Sequence, residues 1–230
     1  MQALSQYTKQ QVGRFHGLAD RVTVIPHWRR PDLHRQHDKE EARRRLGWPQ
    51  KEHVLFTVRR HGPRYGLDVA IRAVAPLAAA KRCTFYVAGD GPLRPSLEDL
   101  AGTLGAGEGI RFPGRITDQQ LALSYEAADL FLLPTTALEC FGLITLEAFA
   151  FGCPVLSTDV CALPETIAPI MPEFIVPAAD VEALRRKVEE FLERKLVPPS
   201  QQRLMAYLDD RYDESVVLPR LVALLEGRGK

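Results

Sequence analysis

The chain has 230 residues, 46% of them hydrophobic, and its 30 basic and 29 acidic side chains leave a formal net charge of +1. That composition fits a globular protein with a sizeable core and excludes the basic excess of a protein that coats nucleic acid. No apolar run is long enough to cross a bilayer, which leaves only peripheral membrane contact open, and the N-terminus lacks a charged-then-apolar leader pattern.

Residues 5–16 read as a helix opening at Ser5, a good N-cap. "RVTVIP" (21–26) is a short strand closed by proline. "HWRRPDLHRQH" (27–37) has no period and reads as a mobile polar connector, which explains His27, His34 and His37 better than a metal site does. Asp38 caps a charged helix, "KEEARRRLGW", stopped by Gly47 and Pro49. "EHVLFTV" (52–58) is then a continuous apolar strand, and "GLDVAIRAVAPLAAA" is a helix with Leu67, Ile71 and Val74 on one face. "CTFYVAG" (83–89) is a second strand. A helix with Leu93, Leu97, Leu100 and Leu104 follows, then the strand "GIRFPG". "TDQQLALSYEAA" opens with Thr117 and Gln120 at capping-box spacing. "DLFLLPT" and "PVLST" are strands flanking a helix, and "EFIVP" (173–177) is a last strand. Two amphipathic helices near 199–209 and 214–227 end the chain.

Strands that alternate with helices and are apolar on both faces specify an α/β fold. The expected architecture is a doubly wound, Rossmann-like parallel sheet over about residues 50–195. Cysteines 83, 140, 153 and 161 match neither a zinc ribbon nor a C-x-x-C pair, and read as reduced thiols of a cytoplasmic protein.

Ligands of such sheets bind at the carboxyl ends of the strands, so the loops there are the candidates for chemistry. "VRRHGPRYGLD" gathers Arg59, Arg60, His61 and Arg64, whose arginine forks suit phosphate, although a solvated basic loop explains the same residues. The dinucleotide glycine pattern is absent. In "AGDGPLRPSLE", Gly89 and Gly91 suit a tight turn. "PGRITDQQL" offers backbone groups near Arg115 and Ile116 to a nucleobase edge.

"ALECFGLITLEAFAFGCPVLST" (137–158) carries two carboxylates, Glu139 and Glu147, in an apolar run. A helix beginning near Phe141 and Gly142 would present its unsatisfied first-turn amides to an anion. Were the whole span helical, the two carboxylates would lie about 12 Å apart along the axis. One ligand fits that layout, with phosphates at the helix start, a sugar at Glu139 and ribose hydroxyls at Glu147. The alternative is that Glu147 is a helix-surface residue and Glu139 a cap.

The string "ECFGLITLEAFAFGCPV" resembles the E-x-F-G-L and second-glutamate pattern in the C-terminal, donor-binding domain of retaining glycosyltransferases of family 4, which have the GT-B fold. "VAGDGPLRPSLEDL", "IRFPGRITDQQLALSYEAADLFLLPT" and "ALPETI" resemble further segments of that domain in order, over about residues 52–195. The resemblance implies that Glu139 contacts the donor sugar and that Arg60 and Arg64 neutralise the leaving diphosphate. It implies that the backbone of Phe141, Gly142 and Leu143 holds the diphosphate, that Glu147 holds the ribose and that Ile116 reads the base. Gly89, Asp90 and Arg59 join the donor site. The donor is a nucleoside diphosphate sugar, with no metal and no other cofactor expected, since no D-x-D motif ends a strand.

Tyr65 stands where the family has lysine, with Arg64 adjacent to supply charge, and Cys161 and Ala162 stand where it commonly has two glycines. The resemblance divides the chain in three. Residues 1–49 would be the tail of an acceptor-binding N-terminal domain plus a linker, 50–197 the nucleotide-sugar domain, and 198–230 helices packing back toward the missing half. The expected function is the donor half of a hexosyltransferase, weak or inactive without an N-terminal domain or partner chain, toward an unidentified acceptor. A non-catalytic nucleotide-sugar-binding module and a nucleotide-sugar epimerase fragment are the alternatives.

Overall fold

The computed structural model describes residues 1–227. It opens with a small β-α-β unit: β1 (Gln2–Ala3), α1 (Gln6–His16) and β2 (Thr23–Val24). β1 and β2 pair in parallel with each other and stay apart from the main sheet. Ser5 caps α1 as expected, accepting from the Thr8 amide.

After α2 (Lys39–Leu46) come β3 (His53–Val58), α3 (Leu67–Ala79), β4 (Cys83–Ala88), α4 (Arg94–Thr103), β5 (Ile110–Gly114) and α5 (Asp118–Ala127). β6 (Leu130–Leu133), α6 (Leu143–Ala150), β7 (Val155–Thr158), α7 (Leu163–Ile167), β8 (Ile175–Val176) and α8 (Val181–Leu192) complete the alternation, and α9 (Gln201–Tyr212) and α10 (Glu214–Leu225) close it. The six main strands are all parallel, in the order β5-β4-β3-β6-β7-β8. From β3 the chain builds outward to β5, then returns to add β6 on the other side of β3. The expected doubly wound Rossmann-like sheet is therefore present, with its switch point between β3 and β6.

Helices cover both faces: α3 packs on α4 and α8, while α2 packs on α5 and α6 on α9. Continuous apolar strands are what such a two-sided burial requires. Phe56, Tyr125 and Phe131 meet at the centre with ring centroids 5.3 to 5.7 Å apart. At the amino end of β3, the buried Arg43 of α2 donates to Asp129 at 2.7 Å, and Asp129 also accepts from the Val54 amide at 2.8 Å. This network pins α2 to the sheet and holds the Asp129 carboxyl low, with Lys39 the main cation opposing the cost of burial. Cys83 and Cys153 are buried free thiols pushed up to about 12 by that burial, and are inert.

Two features differ from the sequence reading. α8 is a full helix capped by Asp180 where only the end of the domain was expected. The 27–37 connector is a tethered strap. The buried Glu126 carboxylate accepts from the amides of Gln36 at 2.5 Å and His37 at 3.2 Å, and from His37 Nδ1 at 2.9 Å. Upstream, the Arg29 amide donates to the Tyr212 carbonyl at 2.7 Å and its guanidinium pairs with Asp209 and Asp213. His37 is thus committed to Glu126, and His27 stacks on Trp28. At the C-terminal end, α10 reaches the N-terminal unit through Arg220, which donates to the Val24 carbonyl at 3.0 Å. Among the described residues, no helix is long and apolar enough to cross a membrane.

Candidate functional site

The switch point lies beyond Val58 and Leu133, where β3 and β6 end side by side. The first residue past β3 is Arg59. Its Nη2 donates to Thr135 Oγ1 at 3.1 Å and to Glu139 Oε2 at 3.2 Å. The two charged side chains are 12% and 17% exposed, so the pair is largely withdrawn from water. Burial lowers the Arg59 pKa against the pull of Glu139, although arginine stays cationic at any working pH. Arg59 Nε is buried with no hydrogen-bond partner, an unspent donor at the base of the crevice.

Three loops are drawn tight around this pair. Gly89, at φ +111°, lies so close to the Arg59 carbonyl that a Cβ there would sit 1.9 Å from it. Asp90 stays partly exposed, its Oδ1 accepting from the Gly91 amide at 2.8 Å and its Oδ2 lying 3.7 Å from Arg115 Nε. Arg64 donates to the Leu138 carbonyl and, at 2.8 Å, to the Tyr65 hydroxyl, while its own carbonyl accepts from the Thr136 amide at 2.9 Å. The Tyr65 ring lies under both guanidinium groups, 4.5 Å from that of Arg64 and 5.4 Å from that of Arg59. Tyrosine at this position therefore gathers two cations at the strand end by ring contact.

α6 opens at Leu143 with Gly142 as N-cap at φ +83°, where a Cβ would meet Leu163 Cδ2 at 2.6 Å. No side chain caps this helix, so Glu139 lies outside it and is not its cap. Leu143 is exposed, and of the first-turn amides that of Thr145 is spent on the Gly142 carbonyl at 2.8 Å, which leaves those of Leu143 and Ile144 as the candidates for an anion. Phe141 turns its ring into the core against Tyr212 and leaves its backbone to the crevice. Thr145, in the first turn, has a buried hydroxyl with no partner. Glu147 sits four residues into α6, about 6 Å along the axis from Leu143. It is half-buried and accepts from the Tyr125 hydroxyl at 3.4 Å. Its carboxyl is raised above the ordinary value because burial disfavours the charge, with Tyr125, Arg30 and Arg59 opposing. Glu147 lines a cavity of about 370 Å³ between α5, α6 and the strap.

The structure thus gathers Arg59, Arg64, Glu139, Phe141, Gly142 and Leu143 at one crevice, with Glu147 one turn deeper. Arg60 is exposed and takes no part in the Glu139 pair. Ile116 is half-buried beyond β5, packed on the core. Cys161 adopts the left-handed conformation, φ +53°, which glycine would adopt without strain. The next amide, of Ala162, donates to the Glu139 carbonyl at 3.2 Å and fixes that loop.

Sequence reasoning missed four contributors. Thr135 and Tyr125 carry hydrogen bonds to the charged groups. Ser5 donates to the Cys140 carbonyl at 2.8 Å, and both Glu165 oxygens accept from the α1 amides of Gln6 and Tyr7 at 2.7 Å. Glu165 lay in the "ALPETI" segment and Tyr125 and Thr135 in the quoted 110–135 segment, while Ser5 was read only as the cap of α1.

The chain is similar to D-inositol 3-phosphate glycosyltransferases: it is 35% identical to that of Thermobispora bispora over 67% of this chain and 38% of the relative. It is 32% identical to that of Streptomyces scabiei over 81% of this chain and 44% of the relative. The chain therefore spans about two fifths of the length of these relatives. Among solved structures it superposes on Anabaena HepE in complex with UDP with a TM-score of 0.88 at 20% identity, covering 98% of this chain and 63% of that one. On a Rickettsia africae glycosyltransferase the TM-score is 0.86 at 17% identity, covering 99% and 62%. These superpositions show that the chain has the Rossmann-like parallel α/β fold found within GT-B glycosyltransferases. The sequence profile described as "Glycosyl transferases group 1" matches residues 38–208, and this chain belongs to that family.

Proposed function

We propose that the chain is the donor-binding part of a retaining, family 4 hexosyltransferase whose donor is a nucleoside diphosphate sugar. The observation that carries this reading is the convergence, at one switch point, of an uncapped helix N-terminus, a buried arginine with an unspent Nε donor and two flanking glutamates. The helix amides and Arg59 suit a diphosphate, whose charge grows as it leaves. Arg60 and Arg64 at the rim add to that field. Glu139 is placed to accept from donor-sugar hydroxyls, and Glu147 from the ribose. In the transfer, the bond from the anomeric carbon to the diphosphate oxygen breaks and its electron pair leaves with the nucleotide. The acceptor oxygen bonds to that carbon on the same face and gives its proton to the leaving diphosphate. These residues supply the charge compensation without a metal ion.

The acceptor is held by a further domain or partner chain, and the open two-stranded β1–β2 unit is where that domain would continue. Isothermal titration with UDP, GDP and ADP tests the donor site, and binding of none of them would remove it. Hydrolysis and transfer assays with and without an acceptor-binding half then separate a catalytic role from simple binding. Expected are weak donor binding and little transfer by this chain alone, with strong transfer on completion. Robust transfer by the chain alone contradicts the divided-site reading.

A further inference from the structure

The strap joins the N-terminal unit to α2 and is tethered at both ends, at Arg29 to Tyr212 and at His37 to Glu126. Between these anchors, Arg30, Asp32 and His34 line the same cavity as Glu147. The first turn of α5 adds Asp118 and Gln119 to the lining. Arg30 is pre-oriented by a two-pronged contact with Asp32, donating from Nε to Oδ1 at 3.2 Å and from Nη2 to Oδ2 at 2.6 Å. It lies in the field of both Asp118 and Glu147. A ribose held by Glu147 places its base in the remaining space, between the start of α5 and the strap. Two arginines line the cavity: Arg45 is paired with Glu41 on α2, whereas Arg30 lies on the strap with its plane fixed by Asp32. A guanidinium offers a flat face to the π-system of any nucleobase, which an ammonium does not.

Resting on the donor-site reading above, we infer that Arg30 is the nucleobase platform of this chain. The strap residue stacks on the base, Asp32 sets its orientation, and nucleotide affinity depends on a segment outside the strand-end loops. Stacking is tolerant of base identity, so Arg30 strengthens binding of every nucleotide and leaves the choice of base to the backbone edge near Ile116.

The test is calorimetry on the full chain with UDP, GDP, ADP and inorganic pyrophosphate. Arg30→Ala is expected to weaken nucleoside diphosphate binding about tenfold, to leave pyrophosphate binding unchanged and to melt with the wild type, since Arg30 is 57% exposed on its side chain. Arg30→Lys should fail to restore affinity. Wild-type nucleotide affinity in Arg30→Ala overturns the inference, as does an equal loss for pyrophosphate or full rescue by lysine. If the wild type binds nucleotides and Arg30→Ala is indifferent, only the platform falls. If the wild type binds none of the three, the donor site falls with it.

Discussion

Arg59 and Glu139 face each other across the switch point at 3.2 Å, one from the end of β3 and the other from the loop after β6. Each desolvates the other, and Thr135 completes the arginine's contacts. Two loops eighty residues apart in sequence are thereby held in register, and the crevice for a ligand is set before any ligand arrives.

Removing one member leaves a largely buried charge without its partner. Arg59→Ala should lower stability by about 2–4 kcal/mol in urea unfolding and reduce pyrophosphate affinity. Arg60→Ala, at an exposed position, should leave the unfolding midpoint unchanged and lose affinity for nucleoside diphosphate more than for nucleoside. Equal unfolding midpoints for the two variants would contradict the asymmetry between these adjacent arginines.

Glu147 ties affinity to stability in opposite directions. Its folded pKa is raised, so the folded state holds the proton more tightly than the unfolded chain. The resulting stability is present below the ordinary value near 4.5 and is lost as pH rises through the raised folded value. At neutral pH the ionised carboxylate costs stability and serves the ligand. Glu147→Gln should therefore melt higher than wild type at pH 7, while Glu147→Ala weakens nucleotide binding by about 1–3 kcal/mol. Wild-type nucleotide affinity should fall as pH drops into the range where Glu147 is protonated. Affinity that holds constant there would separate Glu147 from the ligand.

His61 is fully buried beside Gly91 and Phe112, and neither ring nitrogen has a hydrogen-bond partner. Burial lowers its pKa below the ordinary 6.5. The unfolded chain then takes up the proton first as pH falls. Stability is complete above about 6.5 and declines below it, toward the depressed folded value. His61→Leu should flatten that decline in a series of melts from pH 7.5 to pH 5. An unchanged slope would assign the acid sensitivity elsewhere.

Glu126 holds the strap through three hydrogen bonds at a fully buried carboxylate. Glu126→Ala leaves those donors unmatched and should cost about 2–4 kcal/mol. Amide exchange should accelerate at residues 30–37 ahead of the sheet. Uniform acceleration across the chain would mean that the strap is not a separate unit.

Local chemistry made much of this legible. The Thr117–Gln120 capping box, the Asp38 cap and the Gly47 stop all sit where the residues placed them. Apolar runs at β3 and β4 marked strands buried on both faces, and Gly142 marked the start of α6. What escaped was non-local. Glu126 is ninety residues from the strap it holds, so no spacing rule reaches it. β1 is two residues long and is defined by its pairing with β2, the strand that "RVTVIP" did mark, and not by its composition. The choice between Arg59 and Arg60 turns on which way a single residue faces as a strand ends, which only the neighbouring β6 loop decides.

The most direct measurement is a crystal structure of the chain with UDP and, separately, with GDP and ADP. Expected for at least one nucleotide are diphosphate oxygens within hydrogen-bond distance of the Leu143 amide and the Arg59 guanidinium, with ribose hydroxyls on the Glu147 carboxylate. A nucleotide seated away from the β3–β6 crevice, or a crevice left empty at saturating ligand with Glu147 turned to solvent, would contradict the donor-site reading.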